Sequence, residues 1–165
     1  FNLPEPEETE DTFLGNSELK ARHYGDLIKM PVIADDSGLC VDALGGMPGI
    51  FSARWAGSGG DFQAAMNKIE EELHQVGCAD KNPTAKFVCV LSIYWPESAH
   101  IESFRGEVEG RLDFRKKGYN GFGYDPIFVP NGYDITFAEM SFEQKKRISH
   151  RTNAFKELIK TCFAD

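Results

Sequence analysis

Apolar positions alternate along the chain between helical spacing and short continuous runs, which predicts interleaved helices and strands. Residues 61–76 carry the clearest helical stripe, Phe62, Ala65, Met66, Ile69, Leu73 and Val76, with Glu70, Glu71 and Glu72 largely outside it. Residues 12–28 also read as a helix, with Phe13, Ala21, Tyr24 and Ile28 inward and Asp11 or Thr12 as its cap. Residues 141–147 and 151–163 complete the helices, the last presenting Phe155, Leu158, Ile159 and Cys162 on one face. Residues 85–94 and 101–108 are β-type runs flanking a turn at Pro96-Glu97-Ser98. Short strands are expected at residues 32–34, 39–41 and 127–129, the first two separated by the turn-like Asp35-Asp36-Ser37-Gly38. This order predicts one domain over residues 1–165, of α/β or mixed α+β class with a mixed sheet.

A chain of 165 residues can bury a core without disulfides. The four cysteines, Cys40, Cys78, Cys89 and Cys162, form no C-x-x-C pair, so a reduced, cytoplasmic setting is expected. A net charge of −8 argues against binding a nucleic-acid polymer, which needs a basic face, but leaves a nucleotide open as substrate. No stretch approaches the roughly 18 apolar residues of a membrane span, so no membrane partner is expected. The chain opens on Phe1 rather than Met, which suggests processing or a start part-way into a longer protein.

Four segments could carry chemistry. Asp35 and Asp36 follow a buried run, where two carboxylates are expensive to hold without a cation or donors. Neighbouring side chains of an extended segment point to opposite faces, so one of the two faces any given site; a plain hydrogen-bonded turn is the alternative. Glu7, Glu8 and Glu10 precede a helix, where acids also simply suit the dipole, and Asn16 and Lys20 share one face farther along it. Gly121-Phe122-Gly123-Tyr124-Asp125-Pro126 alternates glycine with aromatics, suiting either close approach to a flat ligand or a core turn. Lys145-Lys146-Arg147 through His150-Arg151 is the densest basic cluster, fit for phosphate or a base edge, or for a solvated helix end.

Taken in order, these segments resemble the Ham1/RdgB family of inosine triphosphate pyrophosphatases. The likeness runs from Glu8-Thr9 through Asn16 and Lys20 to Ala34-Asp35-Asp36-Ser37-Gly38-Leu39, then Val41-Asp42-Ala43-Leu44-Gly45-Gly46 and Ser52-Ala53-Arg54. It continues through Phe104-Arg105-Gly106, the 121–128 segment, Thr136-Phe137-Ala138-Glu139-Met140 and Ile148-Ser149-His150-Arg151. Residues 67–108 match only loosely.

The resemblance implies an elongated sheet flanked by helices, in two lobes with a central cleft, as in ITPase and Maf-like folds. It implies hydrolysis of ITP, dITP and XTP to the monophosphate and pyrophosphate, cleansing the nucleotide pool, by a cytoplasmic homodimer. Glu8 and Asp36 match the Mg²⁺-binding positions, and Asp36 also the proton acceptor, with Asp35 its supporting neighbour. Lys20 and Ser37 match substrate contacts. Phe122, Gly123, Tyr124 and Asp125 match the nucleoside-holding segment, Phe122 as the stacking ring, and Lys145, His150 and Arg151 the base-reading end. The family's opening strand and Ser/Thr-x-Asn-x-x-Lys phosphate loop have no match, so roughly the first 35–40 residues of the family fold are expected to be missing. A catalytically idle nucleotide-binding module and a Maf-like pyrophosphatase of modified pyrimidine nucleotides are the alternatives.

Overall fold

A computed structural model describes residues 3–163. Helix α1 (Phe13–Ile28) begins where the Thr12 side chain accepts from the Gly15 amide and ends at Lys29 in the left-handed region. Strand β1 (Val32–Val41) follows, then helices α2 (Ser52–Trp55) and α3 (Phe62–Gln75), the latter capped by Asp61. Strands β2 (Thr84–Trp95) and β3 (His100–Leu112) form a long hairpin, and β4 (Phe128–Pro130) is a short edge strand. Helices α4 (Phe142–Ile148), with a Ser141/Gln144 capping box, and α5 (His150–Cys162) close the order.

The described strands make one sheet in the order β1-β2-β3-β4, and every pairing is antiparallel. The class is therefore mixed α/β, but the expected mixed sheet is corrected to an antiparallel one. The cause lies in the long connection from β1 to β2. Across it the chain re-enters the sheet from the end at which it left, so β2 runs antiparallel to β1. On the outer edge of β1, Cys40 forms an isolated antiparallel bridge with Pro48.

Strand β2 is buried on both faces, which explains its nearly unbroken apolar run. On one face Val88 and Val90 meet Phe13 of α1. On the other, Cys89, Leu91 and Ile93 meet Ala154 and Leu158 of α5. The largest cluster lies toward the α3 end, where Leu39, Ile69, Leu73, Phe87, Phe128 and Phe137 pack together. Gly106 lets α5 approach β3: a Cβ there would lie 2.1 Å from His150 O and 2.2 Å from Ala154 N.

Two expected faces are corrected. The buried side of α5 is His150, Ala154 and Leu158, while Phe155 and Ile159 are exposed. The buried side of α1 is partly polar: Asn16 and Ser17 are fully inside, with Ser17 Oγ 3.0 Å from Val90 O and 2.8 Å from Ser92 Oγ. A third correction concerns β1, which runs unbroken through Asp35-Asp36-Ser37-Gly38 because each of those residues pairs with β2, from Leu91 to Val88.

Candidate active site

Helix α1 packs on one face of the sheet, over β1 and β2, and α5 on the other, over β2 and β3. Alternation therefore sends Asp36 toward α1, where it meets Lys20, and Asp35 with Ser37 toward α5, where Asp35 meets Arg151. Lys20 Nζ donates to Asp36 Oδ1 and to Glu8 Oε1, both at 2.9 Å. Glu8 arrives on the extended segment before α1. That segment is tied down where Arg54 Nη2 donates to Glu8 O at 2.7 Å and the Glu10 amide donates to Asn16 Oδ1 at 3.1 Å.

Burial and opposing charge set the ionisation of this end. Burial presses the Lys20 ammonium down, but Glu8 and Asp36 more than offset it and hold its pKa above the ordinary value. Burial raises the Asp36 carboxyl; Lys20 offsets part of this, and the Glu8 charge adds to the rise. Asp36 is thus a better proton acceptor than a free aspartate. Asp35 differs. Burial raises it too, yet the Arg151 bond at 2.8 Å and the Ser37 hydroxyl outweigh burial and leave its carboxyl below the usual range.

The far end is built on a glycine turn. Gly121 has φ +74°, and a Cβ there would sit 2.0 Å from Asp125 Oδ2. Asp125, 2% exposed, accepts the Phe122 amide at 2.8 Å and the Lys145 ammonium at 2.5 Å. Burial nevertheless pushes the Asp125 carboxyl up, against the Lys145 charge. The turn leaves the Phe122 ring 64% exposed, with Lys145 Nζ 4.9 Å and Arg151 Cζ 5.8 Å from its centroid. His150 stacks on Phe87 at 4.9 Å. Its burial, then the charges of Arg151 and Lys145, pull its pKa down to about 3, so the imidazole is neutral at neutral pH. His150 Nδ1 is buried without a partner.

A cavity of about 270 Å³ joins the two ends. All the candidate site residues line it: Glu8, Lys20, Asp36, Ser37, Phe122, Gly123, Tyr124, Asp125, Lys145, His150 and Arg151, with Asp35 beside them. A second cavity of about 470 Å³ adjoins it, sharing Phe122, Lys145, His150 and Arg151 and extending toward Ser141 and Phe142. Glu7 and Glu10 do not line either cavity. Tyr124 also serves the fold, since its hydroxyl donates to Ser52 O at 2.7 Å and its ring packs edge-on against Phe62. Sequence reasoning assigned no role to Asn16, Arg54 or Phe87. Arg54 stood only as part of the Ser52-Ala53-Arg54 motif, and Phe87 carried no local signal, because each acts on a partner distant in the chain.

The carboxylate end fits a hard divalent cation. Asp36 Oδ2 is buried and has no hydrogen-bond partner, and Glu8 and Asp36 already converge on one positive charge. Among the described residues no group of three or more His, Cys, Asp or Glu is placed to hold a metal. Two carboxylates suit Mg²⁺, which keeps several waters and completes its shell with substrate phosphates.

A cation-ready end joined to an aromatic and basic end defines a site for a small anionic ligand carrying a flat ring, as nucleotide-binding enzymes possess. The chain belongs to the Ham1 family, whose model matches residues 1–161. It is 50% identical to a dITP/XTP pyrophosphatase of Rhodospirillum centenum over 99% of this chain and 80% of that protein. It is 52% identical to a dITP/XTP pyrophosphatase of Caulobacter vibrioides over 99% of this chain and 82% of that protein. The solved Staphylococcus aureus Ham1 protein superimposes with a TM-score of 0.84 at 44% identity, covering 93% of this chain and 78% of that one.

Proposed function

We infer that the protein is a dITP/XTP pyrophosphatase, which hydrolyses dITP, ITP and XTP to the nucleoside monophosphate and pyrophosphate. The observation that carries this reading is the single cavity with Glu8, Lys20 and Asp36 at one end and Phe122, Lys145, His150 and Arg151 at the other. Relatives named as dITP/XTP pyrophosphatases, at about half identity over nearly the whole chain, supply the reaction.

The reaction places a water oxygen on the α-phosphorus while the bond from that phosphorus to the bridging α–β oxygen breaks. Asp36 accepts the water's proton as the general base. Lys20 leaves its carboxylate partners far enough to meet phosphate oxygens, and its ammonium balances the charge that gathers on the departing pyrophosphate. Glu8 and Asp36 would hold Mg²⁺, which when bound would screen the phosphate charge and acidify a water. Ser37, beside Asp35 at 3.0 Å, offers a hydroxyl to the substrate.

At the other end the base stacks on Phe122, carried by Gly123, Tyr124 and Asp125. Lys145 and Arg151 can only donate, so they favour the 6-oxo group of hypoxanthine and xanthine over the 6-amino group of adenine. Neutral His150 supplies one further N–H. A site built to donate discriminates strongly, because the wrong base leaves buried donors unpaired.

The same reading treats the cavity as the divide between two lobes of a single domain. It also takes the protein as a cytoplasmic homodimer. The four cysteines are free, in keeping with a reduced setting, and among the described residues no helix is long and apolar enough to cross a membrane. Light scattering after gel filtration tests the dimer.

Pyrophosphate release with Mg²⁺ from dITP, XTP, GTP, ATP and modified pyrimidine triphosphates tests the function. The 6-oxopurines dITP and XTP should lead, and Asp36→Asn should lower kcat by about 10²–10⁴-fold. Preference for ATP or a pyrimidine, or an Asp36→Asn rate equal to wild type, rejects the assignment.

A further inference from the structure

Asn16 is 0% exposed on α1, yet the helix does not need its side chain. Thr12 already caps α1 through the Gly15 amide, and an apolar residue would fill a buried helical position at less desolvation cost. The two ends of the Asn16 amide meet two different parts of the site. Oδ1 must face the Glu10 amide, 3.1 Å away, because that partner is a donor. This leaves Nδ2 turned inward, buried and without a completed hydrogen bond, as is Asp36 Oδ2. The two groups lie on the same side of α1: Asn16 precedes by one helical turn Lys20, which donates to Asp36 at 2.9 Å. The segment it grips lies tight on the helix: a Cβ at Gly15 would fall 2.7 Å from Glu10 Cβ.

We propose that Asn16 is a positioning residue that locks the Glu8-bearing segment and the Asp36 carboxylate into one cation-holding arrangement, its oxygen on the first and its amide N–H on the second. The two carboxylates come from separate elements, and Lys20 donates to both. Once Lys20 turns to the phosphates, Arg54 still holds Glu8 O, and Asn16 ties that segment to the helix face that meets Asp36. The proposal rests on the pyrophosphatase reading.

The test measures Mn²⁺ binding by electron paramagnetic resonance without nucleotide, and dITP hydrolysis with Mg²⁺, on wild type, Asn16→Ala, Asp36→Asn and the double variant. Asn16→Ala should weaken Mn²⁺ binding and lower kcat by about tenfold or more, as loss of a group orienting a metal ligand does. Its KM for dITP should stay within about threefold of wild type, since base and phosphate contacts are intact. On the Asp36→Asn background the same change should add less than about twofold to the loss of Mn²⁺ affinity. Wild-type Mn²⁺ affinity and kcat in Asn16→Ala, or losses that simply add in the double variant, would overturn the proposal. If Asn16→Ala does not fold, Asn16→Asp replaces it, keeping volume and the acceptor for Glu10 but losing the donor; a wild-type kcat there overturns the proposal equally. A wild type inactive on dITP would instead reject the pyrophosphatase reading, while the Mn²⁺ measurements would still decide the part played by Asn16.

Discussion

Replacing Phe122 with alanine separates substrate recognition from folding, because the ring projects into the cavity rather than into the core. It is 64% exposed, and its neighbours Lys145 and Arg151 are each held by another residue, Asp125 and Asp35. Removing an aromatic platform from a stacked base costs about 1–3 kcal/mol. At 1.36 kcal/mol per decade, kcat/KM for dITP should fall by about 5- to 160-fold. Exposed cation–π contacts add at most about 1 kcal/mol of stability, so the Tm should fall by no more than about 4 °C for a chain of this size. The assay is initial-rate pyrophosphate release over a dITP range, with a thermal melt of the same preparation. Phe122→Trp should restore most of the activity, as stacking tolerates any ring. A kcat/KM within twofold of wild type in Phe122→Ala, or no rescue by tryptophan, refutes stacking on this residue.

Three further outcomes follow from the geometry. His150, held near pKa 3 by burial and by the charges of Arg151 and Lys145, should show no imidazole titration between pH 5 and 8 by NMR; a midpoint near 6.5 contradicts its burial. Asp35 has a folded pKa below its unfolded value of about 3.9, so the stability it contributes is present above that value and lost as pH falls through the folded one. Asp35→Asn should therefore flatten the loss of stability below about pH 4, read from urea midpoints across pH, and an unchanged profile would count against the Arg151 pairing. Gly106→Ala would set a methyl 2.1 Å from His150 O, forcing α5 off β3; a destabilisation of about 1–3 kcal/mol is expected in urea denaturation, and a neutral result would show that the helix can shift freely.

Much of the architecture was legible because its signals are local. Thr12, Asp61 and Ser141 each accept a backbone amide at the start of their helices, as short polar residues at such positions predict. The β2–β3 hairpin followed from two β-type runs around Pro96-Glu97-Ser98 and extends a few residues beyond both. The misread places depend on partners distant in the chain. Asp35-Asp36-Ser37-Gly38 has turn composition, yet β2 supplies its ladder, and Lys20 and Arg151 satisfy the two carboxylates on opposite faces. Phe155 and Ile159 continue the helical period of α5, but the close approach at Gly106 turns His150, Ala154 and Leu158 inward instead.

By itself the sequence determined the helices, most strand positions, and which residue types were available for chemistry, since capping, periodicity and motif order act over a few residues. It also identified the family, through motifs spaced along nearly the whole chain. Only the tertiary structure decided that the sheet is antiparallel, that Asp36 rather than Asp35 shares Lys20 with Glu8, and that Asn16 is buried with its oxygen on the Glu10 amide. Those outcomes rest on which face of a strand meets which helix and on how deeply each charge is buried. Both are properties of packing between segments far apart in the chain, where local propensity carries no information.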